Sequence, residues 1–113
     1  MTMIAAYIFR LKADRPGVLL HEFAHAYHDT EGKRFQLEID RAYAEAVRSG
    51  MYQNVPISGG KMGAAYAITN NREYFAELTA AYFDLGTMTP RTKADLKQRD
   101  AMGFELMRRV WDE

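Results

Sequence analysis

His21 and His25 stand four residues apart, with Glu22 between them, in the run His21-Glu22-Phe23-Ala24-His25. An α-helix turns about once per 3.6 residues, so positions four apart share one face roughly 6 Å along the axis. Two neutral imidazoles placed that way can grip one Zn²⁺. Glu22 lies beside that face, where its carboxylate reaches a water on the metal rather than the metal itself. This is the HExxH spelling, and its chemistry is metal-assisted hydrolysis. The competing reading is a chance match within an amphipathic helix.

A catalytic metal needs a third protein donor. Glu73 and Glu77, in Glu73-Tyr74-Phe75-Ala76-Glu77, are four apart and share a helical face that borders an apolar stripe. Ala76 and Ala80 fall on the same side, and small residues there let a second helix approach closely. Glu73 has two readings. It is either the third ligand or the far end of a capping box with Asn70, because a glutamate in a first turn also suits the helix dipole. Asp84 falls near the same face. Tyr66 is either an ordinary half-buried aromatic or, if its segment borders the metal, a phenol that donates to a developing oxyanion. His28 lies too far along the first helix to share an ion with both other histidines, and reads as a partly buried or substrate-side residue. Only Gly32 follows, with no later histidine, so the longer signature with a third His is absent.

The elements that must carry these groups follow from periodicity and punctuation. Met3 to Phe9 is continuously apolar and reads as a short strand. Pro16 suits the first turn of a helix running to about His28 or Asp29. A second helix fits Lys33 to Ser49, with Gly50 as a left-handed cap. Met51 to Gly63, with Pro56, Gly59 and Gly60, reads as a loop, and Ala64 to Ile68 as extended. Asn70 caps a third helix from Asn71 to Leu85, closed by Gly86. Thr89-Pro90 opens a short helix, and Asp100 caps a last one carrying Phe104, Met107, Val110 and Trp111.

The chain has 113 residues, fitting one domain over 1–113, with fifteen basic residues against fifteen acidic and no cysteine. The charge balance gives no reason to expect nucleic acid or a membrane surface. The absence of cysteine excludes thiolate zinc sites, thiol nucleophiles and disulfide scaffolds. The run Met3 to Phe9 is too short to span a bilayer and has no basic residue before it, so neither signal peptide nor transmembrane segment is expected and the cytoplasm is the default compartment. The basic residues of the tail, interrupted by Asp95, Asp100 and Glu105, read as a solvated helix face.

The HExxH run, Tyr66 and the Glu73-to-Glu77 segment together resemble the gluzincin metallopeptidases of the anthrax lethal factor catalytic-domain type, a group that includes the pro-pro endopeptidases. The likeness covers Gly17 to Asp29 and Ala64 to Phe83 and is absent before Pro16. It implies that His21, His25 and Glu73 hold one catalytic zinc and that Glu22 is the general base. It implies that Tyr66 stabilises the tetrahedral intermediate or protonates the leaving group. Glu77 is implied as the carboxylate that accepts a hydrogen bond from one of the two histidines. Relatives of this type usually carry more chain upstream, which helps to build the cleft.

The expectation is therefore a small, mainly helical α+β domain of zincin type with one short sheet or N-terminal strand, hydrolysing peptide or protein substrates. The alternative is a zinc-binding interaction module, or an incomplete domain without turnover.

Overall fold

Helix α1 (Pro16–Asp29) opens at a proline and buries Leu20, Ala24 and His28, one residue every four along a single stripe. His21 and His25 each follow a buried position by one residue, which sets them on the flank of that stripe. The structure, a computed structural model, describes residues 16–112, and the expected strand Met3 to Phe9 lies outside them. A 3-10 helix over Glu31–Phe35 turns the chain into α2 (Gln36–Ser49), which ends at Gly50 with φ 74° as expected. The second helix thus begins at Gln36 rather than Lys33. The chain must reverse within a few residues, and tight i→i+3 winding does this while packing Gly32 against the Tyr27 backbone.

Met51 to Gly63 is not simply a loop. It holds an antiparallel hairpin of β1 (Val55–Ile57) and β2 (Lys61–Gly63), with Val55 opposite Gly63 and Ile57 opposite Lys61. Gly59 and Gly60 take φ of 76° and 73°, a region open to glycine without steric cost, and so reverse the chain between the strands. Ala65 keeps extended dihedrals, but Tyr66–Ile68, expected as extended, winds into a 3-10 turn.

Helix α3 (Asn71–Tyr82) is the centre of the molecule, with Tyr74, Phe75, Ala76, Leu78 and Ala81 fully buried. It stops short of the expected Leu85. Asp84 adopts φ 60°, Leu85 N donates to Ala80 O at 2.9 Å and Asp84 N to Ala81 O at 2.9 Å. That is a Schellman closure with an aspartate where glycine is commoner. The next helix, α4 (Lys93–Arg99), opens after Thr92, whose hydroxyl accepts from Asp95 N at 3.1 Å, and not at Thr89-Pro90. Asp100 caps α5 (Ala101–Trp111) as expected, accepting from Gly103 N at 2.8 Å.

Each of the helices α1 to α5 and the hairpin contributes to one apolar cluster, in which Tyr27 stacks on Phe75 and Trp111 meets both rings at a tilt. The architecture is mainly helical α+β with one small sheet. Among the described residues no helix is long and apolar enough to cross a membrane.

Candidate metal centre

Helices α1 and α3 pack along small residues. Ala24, Ala76 and Ala80 are buried between them, and a Cβ on Gly17 would stand 2.2 Å from the Leu85 carbonyl oxygen. Any side chain at position 17 would drive the first turn of α1 away from the end of α3. This closeness puts the His21–His25 flank of α1 against the first two turns of α3.

There His21 Nε2 lies 2.9 Å from Glu73 Oε1, His25 Nε2 lies 3.0 Å from the same oxygen, and the two Nε2 atoms are 3.2 Å apart. The rings meet edge-on at 84° with centroids 4.7 Å apart. Donors about 2.0–2.1 Å from a tetrahedral zinc stand roughly 3.3 Å from one another, so this triangle is the size of one face of such a site. His21, His25 and Glu73 form a group that can hold a metal ion.

Glu77, one turn along α3, sits 2.9 Å from His21 Nδ1 and accepts its proton. That bond fixes the ring so that Nε2 carries the lone pair and points at Glu73 and His25. Of the two histidines it is therefore His21 that Glu77 orients. His25 Nδ1 is buried and meets no hydrogen-bond partner among the described residues.

The charges respond to this crowding. The Glu77 hydrogen bond, working against desolvation and helped by the charges of Glu77 and Glu73, raises His21 above the ordinary histidine range. Burial pushes the Glu73 carboxyl up, but the charges and hydrogen bonds of His25 and His21 outweigh it and hold Glu73 below the usual carboxylate range.

The two readings of Glu73 do not compete. Asn70 Oδ1 accepts from the Glu73 backbone N at 2.9 Å, so the cap is made to the main chain. The carboxylate is left to face the histidines. Glu22 is exposed on α1, next to His21 in the chain, and Tyr66, half exposed, has its ring centroid 6.3 Å from that of His21. The Glu73 charge, then burial, raises the Tyr66 phenol above its usual range, with smaller contributions from Glu77 and Glu22. The 3-10 turn thus sets the phenol within the field of three carboxylates.

Two other candidates lie elsewhere. His28 is 4% exposed, donates from Nε2 to Gln36 Oε1 at 2.7 Å and packs on Phe75 with centroids 5.0 Å apart. It joins α1 to α2 and takes no part in the donor triangle. Asp84, expected near the Glu73–Glu77 face, instead accepts from Lys93 N at 2.7 Å and ties the end of α3 to the start of α4. The surroundings of Tyr66, namely Ile57 on the hairpin and Met88 beyond α3, were missed in the sequence because three-residue strands carry no readable alternation.

Comparison with family models, with curated proteins and with solved structures finds no match to this chain.

Proposed function

We propose that this chain is a zinc-dependent peptidase of lethal-factor-like type, with His21, His25 and Glu73 as metal ligands. The convergence of two imidazole nitrogens and one carboxylate oxygen within 3.2 Å of one another carries the reading. Their side chains keep 15–18% exposure, so solvent and substrate can reach the group. Two nitrogens and one oxygen, with room for a further ligand, is the donor set of a catalytic zinc rather than of a closed structural one. When bound, the metal supplies Lewis acidity, making water easier to deprotonate and a carbonyl more electrophilic.

The protein's own residues do the rest. Glu22, exposed beside the ligand face, takes a proton from the attacking water and passes it to the departing amine. The surrounding carboxylates keep the Tyr66 phenol protonated, so it remains a donor to the oxygen on which negative charge develops. Glu77 holds His21 in the tautomer that presents Nε2 to the metal.

Substituting Glu22→Gln tests the assignment. The variant keeps its zinc and loses about 10²-fold or more in hydrolysis of a mixed peptide library, measured with and without chelator. Undiminished hydrolysis in that variant removes Glu22 from the chemistry. Zinc binding without chelator-sensitive hydrolysis in the wild type leaves a metal-binding interaction module.

A further inference from the structure

Tyr66 is 53% exposed, so the packing of its own ring does little to fix where the phenol lies. Its place beside His21 is set by the backbone that carries it, the 3-10 turn Tyr66–Ile68. Several bonds of that turn are local. Ile68 N donates to Ala65 O at 3.1 Å, and Thr69 donates to Tyr66 O from its backbone N at 3.0 Å and from its hydroxyl at 2.7 Å. Such bonds keep the turn wound, but they do not hold it against another element. Two further bonds do. Ala65 N, just ahead of the turn, donates to Tyr52 O at 2.8 Å, and Tyr43 Oη donates to Ile68 O at 3.1 Å.

Of these two, the Tyr43 bond comes from a side chain with a second role. Tyr43 is half-buried on α2, and its ring meets Tyr74 edge-on, with centroids 5.7 Å apart at 66°. Tyr74 follows Glu73 in α3, and its own phenol is held by buried Asp100 at 2.7 Å. The Tyr43 ring therefore rests on the helix that carries the carboxylate ligand, while its hydroxyl grips the turn that carries Tyr66. An edge-on aromatic pair and a hydrogen bond at the far end of the ring fix both ends of one rigid side chain.

We infer that Tyr43 is a positioning residue for Tyr66, its hydroxyl holding the 3-10 turn so that the phenol stays beside His21 and Glu73. This rests on the peptidase reading, in which Tyr66 donates to the developing oxyanion, and adds to it a residue outside the donor triangle. The sensitivity is large for so small a group, because a donor about 1 Å out of place forfeits up to about 10²-fold in rate.

The test is a cycle of Tyr43→Phe, Tyr66→Phe and the double variant. Each full chain is zinc-loaded and assayed on one peptide that the wild type cleaves. Tyr43→Phe keeps the ring on Tyr74 and removes the hydroxyl alone. It lowers kcat about ten-fold with KM and zinc affinity unchanged, and Tyr66→Phe lowers kcat about 10²-fold. The double variant is no slower than Tyr66→Phe, since the brace then has nothing to position. Wild-type kcat in Tyr43→Phe, or losses that multiply in the double variant, overturns the inference and leaves the peptidase reading in place. Wild-type kcat in Tyr66→Phe overturns it together with the role of Tyr66. A wild type without chelator-sensitive cleavage overturns the peptidase reading and this inference with it. Amide exchange at Ile68 and Thr69 reads the brace without turnover: it quickens about ten-fold in Tyr43→Phe, and an unchanged rate overturns the brace.

Discussion

Neighbouring residues of α3 enter two carboxylate centres of opposite kind. Glu73 faces His21 and His25, while Tyr74 faces the buried carboxylate of Asp100. Asp100, 1% exposed, accepts from Tyr52 Oη at 3.0 Å, Tyr74 Oη at 2.7 Å and Gly103 N at 2.8 Å. Every bond there runs from a donor of the chain to an acceptor of the chain, and the centre is complete by itself. Around Glu73 the balance is reversed. Two ring nitrogens and a carboxylate oxygen crowd together as acceptors, and the one ring proton fixed by a further partner is held by Glu77. Such a cluster is satisfied by a proton or by a cation. The first centre is satisfied within the fold, and the second is a group that can hold a metal ion.

The two centres should respond to substitution in opposite ways. Asp100→Ala leaves two buried phenols and a helix N-terminus without their acceptor, so the unfolding free energy falls by about 3 kcal/mol or more in denaturant titration. Zinc affinity of the folded fraction stays where it was. A loss below about 1 kcal/mol would mean that the Asp100 bonds contribute little beyond what water provides.

Glu77→Gln acts on the other centre. It keeps the shape but weakens the hold on the His21 ring, and zinc affinity drops about 10–100-fold, measured by competition with a chelating dye. Denaturant stability of the metal-free protein moves less than in Asp100→Ala. Equal zinc affinity in wild type and Glu77→Gln would detach Glu77 from the metal.

pH separates the centres further. His21 is raised in the folded protein above its unfolded value of 6.5. Its contribution to the stability of the metal-free protein is therefore fully present below pH 6.5 and is lost as pH climbs to the raised value. Burial, with Asp100 alongside, raises the phenols of Tyr52 and Tyr74 from their ordinary 10.0, so the stability they hold fades only above pH 10. Metal-free stability should show a small decline starting near neutrality and a larger one in strong alkali. In the first window zinc uptake releases the His21 proton, which calorimetry in buffers of differing ionisation enthalpy detects. No released proton there would place the His21 shift elsewhere.

Much of the site was legible because helical spacing is short-range physics. The i, i+4 pairs His21/His25 and Glu73/Glu77 could be placed on faces without knowing the fold, and Asn70 and Asp100 announced their helices through capping chemistry. Whether those faces meet depends on Gly17 lying against Leu85 and on buried alanines, which only tertiary packing decides. The errors share a cause. Glycine at 59 and 60 was read as a loop although it serves a hairpin turn, and Tyr66 was read as extended although local bonds wind it into a 3-10 turn. Asp84 did the terminating work expected of Gly86, because its side chain gains the Lys93 backbone N. The Asp100 centre was half visible: its cap could be read, but its tyrosines at 52 and 74 are joined to it only by the fold.

Zinc content by elemental analysis, with affinity measured for wild type and Glu73→Gln, bears most directly on the converging triangle. One zinc per chain in the wild type, and an affinity lower by more than about 100-fold in Glu73→Gln, is the result expected when a direct ligand is removed. A wild-type protein without stoichiometric zinc, or a Glu73→Gln variant that binds it equally well, would contradict the metal centre.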